Sequence, residues 1–548
     1  MKKILLILTC IFFISRTFSQ QVPLDVLIQN RYNEITLDAD TSLFTGFRSI
    51  NWLEVKPYLN DLKTDILDSA FGLSTNAGNY AFKNLANSNW IQASNSKSTF
   101  TIDPYIVAAA GAQNRSSQRA VLQMLGGIRI QGVVNDKFSY SLGFVSGYNK
   151  FPSYVNANID STRGYIPGFA KASLSGDNGY TATQVTGNVT YIPSKHFLIG
   201  AGYGKNFIGD GYRSLILSDN PTNNPYLRLQ ARLWKFTYNV IYNKYSNPRY
   251  QIDGHSQRKY SVLHALGINF SEKIQVGLYD NIIWYAKDTV DLFNNRAPTS
   301  DSIMGERGFD VQYLNPLIFM RPLEFEIGSP DNAFIGGTFK YKFYNHGFFY
   351  FQFGLDDLHL NNTFDNHKNV FGNKYGLQFG FYNKHLFHLE NLSWRLEWNT
   401  VRPYTYGHGF NKIGLNYTHN NQTLADPFNA NFDEVISIFQ YHNKRWYAML
   451  ENLYTIRGED PGRAFTNGED LWGDQDAVEL VGTKTLQGEK HKYFYNQFTA
   501  GYLINPRNGL TIQGDAVYRS HKAPGISNRN IFFMIGIQTR LFNYYHDL

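Results

Sequence analysis

Apolar and polar residues alternate through most of the chain from about residue 100 onward. In VLQMLGGIRIQGV, residues 121–133, the apolar side chains share one face: Leu122, Met124, Ile128 and Ile130. The polar side chains share the other face: Gln123, Arg129 and Gln131. FSYSLGFVSGY, residues 138–148, repeats the pattern with aromatic and aliphatic residues opposite serines and glycines. A period of two predicts β-strands with an apolar outer face and a polar or small inner face.

The same period reaches the end of the sequence. In NIFFMIGIQTRLFNYYHDL, residues 530–548, one face carries Ile531, Phe533, Ile535, Ile537 and Leu541. Gln538 and Arg540 lie on the opposite face. This pattern predicts that the chain finishes on a strand that closes the sheet.

Residues 20–75 follow a helical period instead. Leu24, Leu27, Ile28 and Ile35 recur at helical spacing in PLDVLIQNRYNEI, and KPYLNDLKTDILD repeats that spacing further along. Pro57 suits a first helical turn. We therefore expect two short helices in an N-terminal periplasmic segment, residues 20–75, followed by a barrel over residues 76–548.

The connections between the strands alternate in length. Short ones fall at Asn135–Lys137, Pro193–Lys195, Ser271–Lys273, His442–Lys444 and Asn505–Asn508. Long polar stretches separate them, at about 149–180, 207–225, 286–321, 403–432 and 457–490. Short turns on one rim and long loops on the other are typical of outer-membrane barrels, which close with even strand numbers. The fold class predicted is all-β, a transmembrane outer-membrane β-barrel of about 18 antiparallel strands.

Composition supports this class. The chain of 548 residues contains 38 Tyr, 42 Phe and 46 Gly, and its mean hydropathy is negative. Barrels place apolar residues at alternate positions and aromatic residues at both rims, so hydropathy stays low.

The first residues, MKKILLILTCIFFISRTFSQ, have the basic start and short apolar core of a cleaved signal peptide, assigned to residues 1–19. Cys10 lies inside it and is the only cysteine, so the mature chain would be exported without disulfides. Removing Lys2, Lys3 and Arg16 lowers the formal charge from +7 to about +4, which indicates no nucleic-acid partner.

A glycine-rich stretch, GYGKNFIGDGYRS at residues 202–214, has the composition of a phosphate-binding loop. It lacks the Gly-Lys-Ser/Thr ending and the following helix that such a loop needs. Alternation instead places Gly200, Gly202 and Gly204 on the lumen side of a strand. We therefore predict a glycine-lined wall that leads into an inward-folded loop held by Asp210, Arg213 and Asp219.

Carbohydrate contact is the most specific binding chemistry that the sequence suggests. Aromatic faces next to planar polar groups occur in RPYTYGHGFN, at Arg402, Tyr404, Tyr406 and His408, and in LWGDQD, at Trp472. Aromatic residues near a barrel rim also form the membrane girdle, and that alternative stays open.

Catalytic and metal-binding patterns are weak. Asp460, Asp470, Asp474 and Asp476 could bind Ca²⁺ or could form a solvated loop, since the EF-hand order is absent. His359, His367 and His385 lack HExxH spacing, and no GxSxG motif occurs. We expect no enzyme activity, no cofactor and no metal.

Several longer segments resemble one family. GKNFIGDGYRSLILSD, YLNPLIFMRPLEFEIGSPDNAFIGG, WNTVRPYTYGH and NYTHNNQTLADPF are similar to the capsule-assembly Wzi-like outer-membrane proteins. They resemble more closely the Bacteroidetes branch called gliding motility protein RemB. The resemblance implies an 18-stranded barrel with a periplasmic helical element, and a role at the cell surface in capsule retention or gliding.

The function predicted is gliding motility or surface attachment through binding or assembly of surface polysaccharide. Its expected partners are outer-membrane lipid, lipopolysaccharide, polysaccharide, and motility or secretion machinery. The alternatives are a transport channel for a hydrophobic or sugar solute, which needs an open or gated lumen, and a barrel enzyme, which needs a nucleophile, a base and an acid on one rim. A binding protein predicts a plugged lumen.

Overall fold

The three-dimensional structure is a computed structural model, and it describes most of the chain. The described residues are 22–38, 43–55, 88–95, 97–114, 119–176, 178–252, 255–289, 304–306, 308–315, 331–343, 346–357, 373–410, 413–461, 466–472, 482–541 and 543–548. The predicted signal peptide and the second predicted helix lie outside these residues.

Eighteen strands form one closed antiparallel barrel, as predicted. In chain order they are β1 (Thr99–Gln113), β2 (Ala120–Val134), β3 (Phe138–Lys150), β4 (Gly179–Ser194), β5 (Phe197–Gly204), β6 (Asn224–Leu233), β7 (Phe236–Ile252), β8 (His255–Asn269), β9 (Ile274–Tyr285), β10 (Asn332–Phe343), β11 (Gly347–Asp357), β12 (Lys374–Asn383), β13 (Leu392–Val401), β14 (Phe432–Asn443), β15 (Trp446–Glu459), β16 (Glu489–Asn505), β17 (Leu510–Ala523) and β18 (Ile526–Thr539). Each strand pairs with the next, and β18 pairs with β1, so the sheet closes.

The faces of the strands follow the alternation in the sequence. On β3, Leu142 and Phe144 point outward and are 54% and 47% exposed, whereas the neighbouring Val145 is buried. On β2, Gln123 and Gln131 are buried inside the barrel. The apolar outer face and the polar inner face therefore match those of a barrel that spans a membrane.

The two rims differ in loop length. One rim carries short turns, such as residues 135–137, 234–235 and 444–445. The other rim carries the long connections 151–178, 205–223, 286–331, 402–431 and 460–488. We call these the short-turn rim and the long-loop rim. The alternation agrees with the sequence pattern.

In the described part of the chain the helices are few and short: α1 (Val26–Asp38), α2 (Trp52–Val55) and α3 (Ser153–Ser161). The same residues also form two 3-10 turns, at Val311–Leu314 and Leu386–His388, and several two- to four-residue strands. Among the described residues, no helix has the length and apolar character needed to cross a membrane.

Helix α1 coincides with the first predicted helix, but it lies inside the barrel near the short-turn rim. Asn30 donates a hydrogen bond to Gln440 of β14 at 2.9 Å, and the Arg31 guanidinium lies 2.8 Å from the ring of His442. Among the described residues beyond α2, the first strand of the sheet is Ile91–Ser94, which pairs with β1. The N-terminal segment is therefore part of the lumen filling.

The end of the sequence differs from the prediction. Strand β18 ends at Thr539, and residues 543–548 turn into the lumen instead of continuing the wall. Leu541 packs against an interior cluster that includes Phe151 and Val155, so it does not extend the lipid-facing row. The alternation breaks in FNYYHDL, where Asn543 and Asp547 would fall on the apolar face. The pattern does not show that these side chains have partners inside the barrel.

Candidate functional site

An inward-folded loop, residues 205–223 between β5 and β6, crosses the lumen to the opposite wall. Glu397 of β13 accepts hydrogen bonds from the main-chain N–H groups of Tyr212 and Arg213, at 2.7 and 3.1 Å. Lys340 of β10 forms an ion pair with Asp210 at 2.7 Å. These inner-face side chains satisfy the backbone and charges of the loop, so the loop is held as a fixed plug.

Arg213 forms the centre of a four-part ion cluster. Its guanidinium lies 2.9 Å from Asp547, 3.3 Å from Glu434 and 3.8 Å from Asp426. These carboxylates belong to the segment after β18, to strand β14 and to the loop 402–431. The Arg213 side chain is 1% exposed. One buried cation therefore joins four separate parts of the chain.

The protonation of this cluster follows from its burial. Burial alone would lower the pKa of Arg213, but Asp547, Glu434 and Asp426 together raise it well above its usual value. Burial and the neighbouring Glu434 raise the pKa of Asp426 well above its usual range. Burial and Glu434 therefore favour the protonated form of Asp426, whereas the three acidic neighbours favour the charged form of Arg213.

The glycines of β5 allow close packing on the lumen side. A Cβ atom added at Gly202 would lie 2.8 Å from the ring of Tyr226, an inward residue of the adjacent strand β6. At Gly200 and Gly204 an added Cβ would meet neighbours at 3.6 Å or more. Gly202 is thus the position where a side chain is excluded.

Asp219 links the inward loop to the C-terminal segment. Its carboxylate accepts hydrogen bonds from the Tyr545 hydroxyl and, at 3.1 Å, from Asn543. The Lys205 ammonium donates to the main-chain oxygen of Asp219 at 2.7 Å. Burial lowers the pKa of Lys205 to about 8, which Asp219 partly opposes.

The tyrosines of RPYTYGHGFN pack against the loops that fill the lumen. Tyr406 is fully buried, donates to the main-chain oxygen of Leu215 at 2.9 Å and packs against Phe334 with ring centres 5.6 Å apart. Tyr404 is 4% exposed and donates to the oxygen of Thr466 at 2.7 Å.

Arg402 and His408 lie beside these tyrosines. The Arg402 side chain donates to the main-chain oxygen of Asn373 at 2.8 Å. The backbone N–H of His408 donates to Asn416 at 2.8 Å. None of these four residues lines the cavity beside Trp472.

Two adjoining cavities open on the long-loop rim. The larger, which we call the rim cavity, has a volume of about 640 Å³. It lies between α3, the loop 402–431 and the ends of strands β15–β18 at the long-loop rim. The smaller, which we call the tryptophan cavity, has a volume of about 270 Å³ and includes Trp472. Asn158, Pro427, Arg457 and Leu548 line both.

The rim cavity combines a cation with aromatic faces. The Arg519 guanidinium lies 4.4 Å from the ring centre of Tyr154 and 5.4 Å from that of Tyr493, and it donates to the main-chain oxygen of Leu548 at 2.7 Å. Tyr493 stacks on His521 with ring centres 4.3 Å apart. Cation–π contact fixes the plane of the arginine.

The tryptophan cavity has a different character. Arg249 lies 4.1 Å over the ring of Trp472, whose indole N–H is buried without a hydrogen-bond partner in the described part of the chain. The acidic side chains of Glu459, Glu469 and Asp470 also line this cavity. It therefore offers an aromatic side chain and carboxylate acceptors.

The residues considered for Ca²⁺ do not converge where the structure describes them. Asp460 accepts a hydrogen bond from the backbone of Asn467, and Asp470 accepts one from Trp472 at 3.1 Å. Asp474, Asp476, His359 and His367 lie outside the described residues. His385 packs against His346 with ring centres 5.8 Å apart. Across the described residues no group of three His, Cys, Asp or Glu side chains could hold a metal ion.

Sequence reasoning missed the residues of the rim cavity. Arg519 and His521 occupy alternate positions of DAVYRSHK, the spacing that puts both side chains on one face of a strand. That signal is present, but the sequence does not show that α3, the loop 402–431 and β17 meet at one rim.

Comparison with solved structures places this architecture among outer-membrane barrels. Wzi from Escherichia coli, an outer membrane protein involved in group 1 capsule assembly and a carbohydrate-binding β-barrel, matches 95% of this chain and 99% of its own, with a TM-score of 0.56 and 12% identity. OprD from Pseudomonas aeruginosa and OccAB2 from Acinetobacter baumannii match 80% of this chain and 94% and 97% of their own, with TM-scores of 0.39 and 0.42 and identities of 9% and 10%.

Sequence comparison adds no relative. No family model matches the chain, and no curated protein matches it. The chain therefore shares the barrel fold of Wzi, and that likeness concerns the fold.

Proposed function

We propose that this protein is an outer-membrane barrel that binds surface polysaccharide at its long-loop rim. The observation that carries the proposal is that the rim cavity and the tryptophan cavity adjoin each other and are lined by aromatic side chains, amides and arginines. Below them the lumen is filled by the protein's own segments. Sugars are held by such combinations of ring faces and planar polar groups. Wzi, with the same fold, is a carbohydrate-binding barrel, which supports the proposal.

The filled lumen favours binding over transport. The inward loop reaches β10 and β13, and the N-terminal segment reaches β6, where Glu54 pairs with Arg228 at 3.0 Å. The C-terminal segment adds the contact between Asp547 and Arg213. A channel would need these buried ion pairs to separate, which costs several kcal/mol for each pair broken.

Among the carbohydrate-binding residues predicted from the sequence, Trp472 is the one that lines either of the two cavities, and it lines the tryptophan cavity. Aromatic faces gain from stacking on the apolar side of a sugar ring. We expect Trp472→Ala to weaken polysaccharide binding about five-fold, an aromatic contact being worth about 1 kcal/mol. Binding of extracted surface polysaccharide to the purified protein in nanodiscs measures this, with Trp234→Ala on the short-turn rim as the control. Equal losses in both variants would remove Trp472 from the site.

The cellular role belongs to the same proposal. We infer export through the N-terminal signal peptide, residence in the outer membrane, and surface attachment, including gliding, through the bound polysaccharide. Deleting the gene and scoring colony spreading together with surface-retained polysaccharide tests this. Polysaccharide shed into the medium with spreading intact supports an anchor, and lost spreading with polysaccharide retained supports the motility branch. If the deletion altered neither colony spreading nor the retained polysaccharide, the proposal would be contradicted.

A further inference from the structure

The rim cavity and the tryptophan cavity differ in charge. Arg457, Arg519 and Arg529 line the rim cavity, and within the described residues no Asp or Glu side chain lines it. Glu459, Glu469 and Asp470 line the tryptophan cavity. A polymer that enters both cavities would therefore meet a cationic pocket next to an acidic one.

Arg519 is the cation best placed to meet a ligand. It is 8% exposed, so it lies in a largely dehydrated setting where charge interactions are stronger than at the surface. Its Nε atom donates to the main-chain oxygen of Leu548, and its two Nη atoms have no protein partner among the described residues. Arg457, in contrast, is paired with Glu459 at 3.4 Å.

The surroundings of Arg519 hold it in one orientation. Tyr154 and Tyr493 flank the guanidinium, and Tyr493 is itself fixed because its hydroxyl donates to Glu459 at 2.6 Å. A planar guanidinium with two free nitrogens suits a carboxylate, which it can bind through two parallel hydrogen bonds. The neighbouring tyrosine rings offer faces for the sugar that carries the carboxylate.

We propose that the rim cavity recognises an acidic sugar residue, with Arg519 binding its carboxylate, and that the ligand is therefore an acidic polysaccharide. This inference rests on the proposed function of the same site. The shared chemistry of anion binding would also fit the phosphates of lipopolysaccharide. Arg519 lies on the inner face of β17, whereas lipid contacts the outer face, and this position favours the glycan.

Carboxyl reduction gives a matched pair of probes. Surface polysaccharide from the producing cells is compared with the same material after its carboxyl groups have been reduced to alcohols, using the full chain in nanodiscs. We expect reduction to weaken binding at least about ten-fold, the loss of one charge-assisted contact. We also expect binding of the untreated polysaccharide to weaken as salt is raised.

Variants then assign the effect to one residue. Arg519→Gln should lower the affinity for untreated polysaccharide to that for the reduced form, and Arg519→Lys should give an intermediate value. Arg163→Gln is the control, because Arg163 is exposed on the same rim and lines neither cavity. Heat-modifiable mobility on gels reports whether each variant has folded, and the wild-type comparison of the two probes stands without any variant.

The outcomes separate the two proposals. Equal binding of untreated and reduced polysaccharide would overturn the acidic-sugar inference and leave carbohydrate binding in place. Failure of both probes to bind would contradict the proposed function itself. Binding of purified lipopolysaccharide alone, lost on removal of its phosphates, would assign Arg519 to a lipid headgroup and overturn the inference.

Discussion

Two arginines inside the same barrel have opposite surroundings. Arg213, in the middle of the lumen, lies within 4 Å of three carboxylates that come from three other parts of the chain. Arg519, at the long-loop rim, lies between two tyrosine rings and keeps two nitrogens unused within the described residues. The first is surrounded by acidic side chains of the protein, whereas the second keeps nitrogens that a ligand can bind. The comparison distinguishes residues that hold the plug from residues that bind.

The largest effect on stability is expected when Arg213, the cation in the middle of the lumen, is removed. Arg213→Ala leaves Glu434 and Asp547 buried without their partner, and we expect a loss of about 3–5 kcal/mol in the free energy of unfolding. Urea unfolding of the refolded protein in lipid vesicles measures it. Arg213→Lys, which keeps the charge, should lose less. Wild-type stability and unchanged protease sensitivity of the inward loop would show that Arg213 does not hold the plug.

A smaller loss is expected when one carboxylate is neutralised. Asp547→Asn keeps the shape but removes the charge that meets Arg213 and the Tyr212 hydroxyl, both at 2.9 Å. We expect a loss of about 2 kcal/mol in the free energy of unfolding, since Glu434 still pairs with Arg213. The same unfolding assay applies. A loss as large as that of Arg213→Ala would mean that the C-terminal segment alone anchors the loop.

Replacing the rim arginine should cost the fold less than either change. Arg519→Gln removes a cation–π contact and one hydrogen bond to Leu548, and we expect a loss of about 1 kcal/mol in the free energy of unfolding. Thermal unfolding of both arginine variants in one detergent sharpens the comparison. A loss equal to that of Arg213→Ala would make Arg519 structural.

The smallest effect concerns pH. Burial, with Asp460 nearby and Arg457 opposing, raises the pKa of Glu469 to about 7. Its carboxyl is therefore protonated below pH 7 in the folded protein, and negative charge leaves the tryptophan cavity as the pH falls.

We expect acidic polysaccharide to bind about two-fold more tightly at pH 6 than at pH 8, since the repulsion is weak at this distance and partly screened. In Glu469→Gln this part of the pH dependence should vanish, and an unchanged pH profile would contradict the assignment. The same carboxyl stabilises the fold fully below its unfolded value of 4.5, and that contribution is lost as the pH rises through 7.

Much of the fold could be predicted from the sequence, because a barrel wall is a local pattern. Alternation on β2 and β3 identifies the lipid-facing side, and loop lengths identify the rims. The polar inner positions also indicate where the lumen lies. The period of two could not show where residues 543–548 pack, because their partners, Asp219 and Arg213, are more than 300 positions away.

The candidate site was harder to predict for the same reason. Tyr404 and Tyr406 have the composition of a sugar-binding loop, yet their hydroxyl groups satisfy the backbone of Thr466 and Leu215. Composition does not distinguish an aromatic residue that covers a plug from one that faces a ligand. Trp472 has the same composition signal and does line a cavity. Only the packing of distant loops separates the two cases.

The contacts between the two ends of the described chain have a consequence for assembly. Asp25 pairs with Arg540 at 3.0 Å, and the backbone of Val26 donates to Asn543 at 3.0 Å, across more than 500 residues. These contacts form only once β18 has been made, and the filled lumen leaves little space for later threading. The barrel must therefore close around residues 22–55 while they are held in place. Insertion into the membrane and packing of the interior would then be completed together, late in folding. We therefore expect this protein to fold slowly during its insertion.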